Sequence, residues 1–257
     1  MVTPQRLLSR PYRVPTAVFR IGAEDGVELA GARLGSGAPS LVFCHGFLGW
    51  HRKRKVGAFA ERLARSFTVY VFDFRGHGES GGVCTYGDCE VFDVDAVVRL
   101  ARTETGGPVA TVGISMGGTA VVRHAALRGG VDAVVSISAP ASWDGHGSLS
   151  FRRLRMLTET RAGRRAARWA GYRLTDRWEP PEAPEEVVER IAPTPLVVVH
   201  GIDDHFFDVE EARRLYRRAG EPKRLMLSSR FGHAEDGLTA SFADRLTDRI
   251  HEMLGPR

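Results

Sequence analysis

Val109-Ala110-Thr111-Val112-Gly113-Ile114-Ser115-Met116-Gly117-Gly118-Thr119 is the stretch on which the fold turns. The residues up to Ile114 form a short, mostly apolar run that reads as a buried strand. A helical pattern follows over 119–127. Between the two, Gly113-Ile114-Ser115-Met116-Gly117 matches G-x-S-x-G. That pattern suits a sharp strand-to-helix turn, with the serine in a strained conformation and its Oγ held out. The glycines two positions to either side let strand and helix approach closely. Ser115 is therefore the expected nucleophile. A helix N-cap role would explain the serine but not its flanking glycines. The pattern needs its context, because Gly78-Glu79-Ser80-Gly81-Gly82 matches it too. Ser80 has no strand pattern before it and no helical pattern after it.

Working outward, apolar runs at 41–44, 67–74, 133–137, 196–199 and 224–227 read as further strands. Between them, Val56, Phe59, Ala60 and Leu63 fall at i, i+3, i+4 and i+7, an amphipathic helix. Helices are also expected over 90–103, 209–218 and 238–254. Two opening strands, 16–21 and 27–34, are joined through Asp25-Gly26, a strong hairpin pair. Strands alternating with helices predict an α/β fold with a mainly parallel sheet covered on both faces, and the hairpin adds an antiparallel edge. From 139 to 195 no strand signal occurs. A structureless loop of that length is unusual in a compact domain, so a helical lid or cap is expected over 140–194, within one domain spanning 1–257.

A serine hydroxyl needs a general base within hydrogen-bond reach. Of the nine histidines, His233 lies in Phe231-Gly232-His233, on a short loop between the last predicted strand and the last helix. That position completes the chain order serine, acid, histidine. The acid, which orients the imidazole, is sought after strand 196–199, in His200-Gly201-Ile202-Asp203-Asp204-His205. Spacing alone does not choose between Asp203 and Asp204.

Taken together, His45-Gly46-Phe47, the loop Asp73-Phe74-Arg75-Gly76-His77-Gly78-Glu79-Ser80, the serine turn, His200-Gly201-x-x-Asp204 and Gly232-His233 give the chain its likeness. It resembles α/β-hydrolases of the serine-hydrolase type over nearly its whole length. The resemblance implies a central sheet of about eight strands with helices on both faces. Its H-G-x-x-D pattern favours Asp204 over Asp203. It places the oxyanion-binding amides on Phe47 and Met116, where two fixed dipoles and a helix N-terminus face the developing charge. It gives the 73–80 loop a structural role. The activity it implies is cofactor-free hydrolysis through an acyl-enzyme on Ser115, and the short lid, rather than the resemblance, favours a small to medium carboxylic ester or thioester as substrate. The same triad serves acyltransferases and cyclases, and a non-catalytic ligand-binding module can keep the fold. A serine at the turn separates the chain from dehalogenases and epoxide hydrolases, which carry aspartate there.

The formal charge of +5 suggests nucleic acid until it is located. Nine arginines face three acids (Asp144, Glu159 and Asp176) between Ala141 and Trp178, and the remainder is about neutral. No zinc-ligand spacing or RNA-binding signature accompanies the excess, so neither nucleic acid nor a metal is expected. The expected partner is a small acyl substrate. These arginines, with Arg52, Lys53, Arg54 and Lys55, raise the idea of an anionic substrate. The plainer expectation is a solvated helix neutralised by Glu179, Glu182, Glu185, Glu186 and Glu189. No run approaches the roughly 18 apolar residues of a membrane span. With no apolar leader in 1–18, a cytoplasmic location is expected. Three cysteines suggest reduced thiols, although Cys84 and Cys89 are close enough in sequence to pair.

Overall fold

The computed structural model describes residues 5, 8–143, 148–229 and 231–255; Asp144 and His146 lie outside them. Eight strands form one sheet: β1 (Thr16–Gly22), β2 (Glu28–Leu34), β3 (Ser40–Cys44), β4 (Thr68–Phe72), β5 (Val109–Ile114), β6 (Ala133–Ile137), β7 (Leu196–Gly201) and β8 (Lys223–Ser228). Their order across the sheet is β1-β2-β4-β3-β5-β6-β7-β8. The pairs β1–β2 and β2–β4 are antiparallel and every other pair is parallel. The expected α/β sheet with an antiparallel edge is thus observed.

Helices α1 (Arg54–Leu63), α2 (Glu90–Thr105), α3 (Met116–Leu127), α7 (Val209–Arg218) and α8 (Ala240–Leu254) flank the sheet. Side chains alternate across β3 and sort the core into two layers. Leu41 and Phe43 pack with Val56, Phe59, Leu246 and Ile250 beneath α1 and α8. Val42 and Cys44 face the opposite way, toward Val94, Val97, Ala120 and Val121 of α2 and α3. All five residues of β3, β4 and β6, and all six of β5 and β7, are buried. Burial on both faces is why these strands read as continuous apolar runs rather than alternating ones.

Between β6 and β7 the chain forms α4 (Leu149–Glu159), α5 (Arg161–Trp169), a short α6 (Pro184–Val187) and a 3-10 turn. Ser148 and Thr160 cap α4 and α5 through their hydroxyls, as N-cap residues should. The segment then returns to the body. Arg173 N–H donates to Gly76 O, Cys84 N–H to Arg173 O and Thr175 N–H to Cys84 O.

Candidate active site

β5 is a central strand, and Ser115 stands just beyond its carboxyl end. There φ is 52° and ψ −119°, a region L-residues avoid at a cost of about 1–3 kcal/mol. The glycines explain how the turn is tolerated. A Cβ on Gly113 would collide with Gly117 O, and one on Gly117 would lie 2.5 Å from both Cys44 O and His45 O. Helix α3 begins at Met116, three residues earlier than its sequence pattern suggests, because the serine turn feeds directly into it.

Ser115 Oγ lies 3.0 Å from His233 Nε2, and His233 Nδ1 lies 2.8 Å from Asp204 Oδ2. The structure therefore joins the three expected residues in one hydrogen-bonded chain. His233 precedes a 3-10 turn at Ala234–Gly237, and Ser138 Oγ accepts the Ala234 N–H at 3.1 Å. Of the two aspartates, Asp204 is the one that lies beside His233. Asp203 is exposed, whereas the Asp204 side chain is fully buried. Asp204 Oδ1 also accepts the amides of Phe206 (2.8 Å) and Phe207 (3.1 Å). Burial pushes the Asp204 carboxyl up, but the hydrogen bond and charge of His233, with those two amides, hold it below the usual range. The next helix is capped by Asp208, whose Oδ1 accepts the Glu210 N–H.

Phe47 and Met116 both border the cavity beside Ser115. Among the described residues, neither backbone N–H has an acceptor. The Phe47 loop is braced from below. His45 Nε2 accepts the Phe74 N–H at 3.0 Å, and Phe47 packs edge-on against His77 and Tyr86. Burial and the neighbouring His77 push the His45 imidazole down to about 3, so it stays neutral. Tyr172, from the returning segment, packs on His77 and donates its hydroxyl to Leu48 O at 2.8 Å.

Ser80 is separated from all of this. It is buried, accepts the Ala30 N–H at 2.9 Å and donates to Asp73 O, a structural serine as its context suggests. Cys84 and Cys89 do not pair; Cys84 Sγ faces Met116 Sδ at 3.6 Å.

The cavity above Ser115 measures about 890 Å³. Its walls include Phe47, Tyr86, Trp143, Phe151, Trp178 and Phe207. Nothing in the sequence singles out Tyr86, Trp143 or Phe207. They come from three separate loops with no shared periodicity, so no local signal could mark them. Arg152, Arg155 and Arg164 also border the cavity, alongside Glu159 and Asp176. Arg52, Lys53, Arg54 and Lys55 do not. Lys53 pairs with Glu235 at 2.7 Å and Lys55 with Asp236 at 3.6 Å, which ties both lysines to the turn after His233. Three of the five glutamates expected to neutralise the arginines turn elsewhere. Glu182 pairs with Arg190, Glu185 with Arg214, and Glu186 accepts the Ala183 N–H.

Residues 41–254 match the alpha/beta hydrolase family, and the chain belongs to it. It is similar to the uncharacterised proteins YfhR of Escherichia coli K12 (27% identical over 195 residues, 74% of this chain) and YqkD of Bacillus subtilis (28% over 190 residues, 67% of this chain). The matches span 60% and 57% of those relatives' lengths. Among solved structures, the Pyrococcus furiosus esterase Pf2001 superposes with a TM-score of 0.72 at 21% identity, over 96% of this chain and 98% of that one. At that identity the likeness speaks for the fold.

Proposed function

We propose that the chain hydrolyses a small to medium carboxylic ester or thioester through an acyl-enzyme on Ser115. The observation that carries this reading is the unbroken hydrogen-bonded chain from Ser115 through His233 to buried Asp204, at the floor of an open cavity. In this mechanism Ser115 Oγ attacks the carbonyl carbon while His233 Nε2 takes its proton. The oxyanion is met by the Phe47 and Met116 amides, which have no competing acceptor among the described residues. Collapse expels the alcohol or thiol, which receives the proton from His233. Water then attacks the acyl carbon, losing a proton to His233, and the acid leaves as Ser115 regains its own. Asp204 stays ionised throughout and fixes which imidazole nitrogen bears hydrogen.

Residues 140–194 act in this reading as a lid within one domain. Phe151 and Leu154 of α4 form part of the cavity wall, and the six aromatic side chains around it suit an apolar acyl or leaving group. The test is labelling by a fluorophosphonate, followed by intact mass, on the wild type and on Ser115→Ala. One label that vanishes in the variant is expected, together with turnover of graded esters and thioesters. A folded wild type that stays unlabelled, or a Ser115→Ala variant with full turnover, would remove the proposal.

A further inference from the structure

Most of the arginine excess is exposed and without a carboxylate partner among the described residues. Elsewhere in the molecule many arginines are paired: Arg20, Arg62, Arg75, Arg102, Arg190 and Arg214 each meet a carboxylate. On α4 and α5 only Arg155 does so among the described residues, with Glu159. Within the same set, Arg153, Arg161, Arg165 and Arg168 have no ion-pair partner, and all four are exposed. Six of the seven arginines on this helical pair thus lack a carboxylate partner among the described residues.

Their spacing orders them. Leu149, Arg153 and Met156 fall at i, i+4 and i+7 of α4, and so share one face. Arg161, Arg165, Arg168 and Trp169 fall at i, i+4, i+7 and i+8 of α5, again one face. Leu149 is 62% exposed, Met156 68% and Trp169 76%. The inward face of α4, with Phe151, Leu154 and Thr158, borders the cavity. Each helix thus turns arginine together with a large apolar side chain toward solvent.

We infer that the α4–α5 pair docks on an anionic lipid bilayer surface, with Arg153, Arg161, Arg165 and Arg168 on the headgroups and Leu149, Met156 and Trp169 at the lipid–water boundary. Arginines near an anionic leaflet gain electrostatic attraction, and tryptophan favours the headgroup level. A nucleic acid would satisfy the arginines but leave the three apolar side chains without a role. The contact is interfacial, for no helix among the described residues is long and apolar enough to cross a membrane. Because α4 borders the cavity on its other side, docking holds the pocket about one helix diameter, roughly 10 Å, from the headgroups.

The test is co-sedimentation of the full chain with vesicles of phosphatidylcholine alone or mixed with phosphatidylglycerol. Binding to the mixed vesicles only, weakening as salt rises, is expected. Each arginine lost should cost about fivefold, so R161Q/R165Q/R168Q should bind roughly a hundredfold more weakly. None of those three borders the cavity, so hydrolysis of a water-soluble short ester should be unchanged in that variant. Trp169→Ala should also weaken binding. Ser115→Ala should bind like the wild type, which keeps this proposal separable from the catalytic one. No binding to mixed vesicles at low salt, equal binding to phosphatidylcholine alone, or wild-type binding by the triple variant would overturn it. So would capture by a DNA duplex with none by vesicles.

Discussion

Replacing Asp204 by asparagine swaps one carboxylate oxygen for an amide nitrogen, and the surroundings dictate which one. Oδ1 accepts two backbone amides, from Phe206 and Phe207, while Oδ2 faces His233 Nδ1 at 2.8 Å. An NH₂ group cannot sit against two N–H donors. The carbonyl oxygen of the new side chain must therefore keep the Oδ1 place, and its NH₂ must take the Oδ2 place and donate to His233 Nδ1. The imidazole then carries its hydrogen on Nε2, which points at Ser115 Oγ 3.0 Å away and has no lone pair to receive the serine proton. The substitution is nearly isosteric, so folding should be little changed. Loss of a correctly held tautomer costs about 10⁴ in kcat in the well-studied serine-protease triad, which corresponds to about 5.4 kcal/mol of barrier. Steady-state hydrolysis of a p-nitrophenyl ester and the rate of fluorophosphonate labelling should fall together by about that factor, while thermal unfolding stays near that of the wild type. If Asp204→Asn keeps activity within tenfold while Asp203→Asn abolishes it, the reasoning about the acid is wrong.

Three further outcomes are expected. Tyr172→Phe removes the hydroxyl bond to Leu48 O, worth about 0.5–1.5 kcal/mol; kcat should drop about two- to tenfold with KM unchanged in steady-state assays, whereas a merely structural tyrosine would lower only the melting temperature. Asp93→Asn weakens a buried pair, since Arg75 Nη2 meets Asp93 Oδ1 at 2.7 Å with side chains 4% and 0% exposed; Arg75 keeps Asp25 as a partner, so about 1–3 kcal/mol of stability should be lost in urea unfolding, and an unchanged midpoint would refute the pairing. Stability should also fall on acidification. The folded His45 imidazole is held down to about 3 against an ordinary 6.5, so between those values the unfolded chain binds the extra proton. The contribution is complete above 6.5 and declines by about 1.4 kcal/mol per pH unit below it. A urea midpoint unchanged between about pH 7 and pH 5 would refute this.

The features visible in the sequence are those the backbone enforces. Ser115 stands out because a strand must end and a helix begin around it, and only glycine fits at 113 and 117. Ser80 lacks that frame, and the structure gives it a purely structural place. His233 is recognisable from its loop, whereas the sequence around β7 offers Asp203 and Asp204 alike and only the resemblance favours Asp204. The cavity is hidden because its aromatic walls are gathered from distant loops by the sheet. The same distance conceals the fate of the arginines. Glu182, Glu185 and Glu186, which follow them in sequence, turn toward Arg190, Arg214 and their own helix start, so adjacency along the chain does not become pairing in space.

The return of the β6–β7 segment onto the loop around Cys84 has a mechanical meaning. Residues 172–175 are tied by backbone bonds to Gly76 and Cys84, and Tyr172 grips the carbonyl of Leu48. At the other end Ser148 Oγ donates to Phe206 O at 3.0 Å. The stretch 149–169 is therefore a span between two anchored abutments rather than a flap on a single hinge. One abutment is the loop around Gly76 and Cys84, from which Tyr172 reaches Leu48 beside Phe47, and the other is the loop that carries Asp204. That span can be shortened, lengthened or exchanged as a cassette, reshaping the chamber above Ser115 while both footings remain in place.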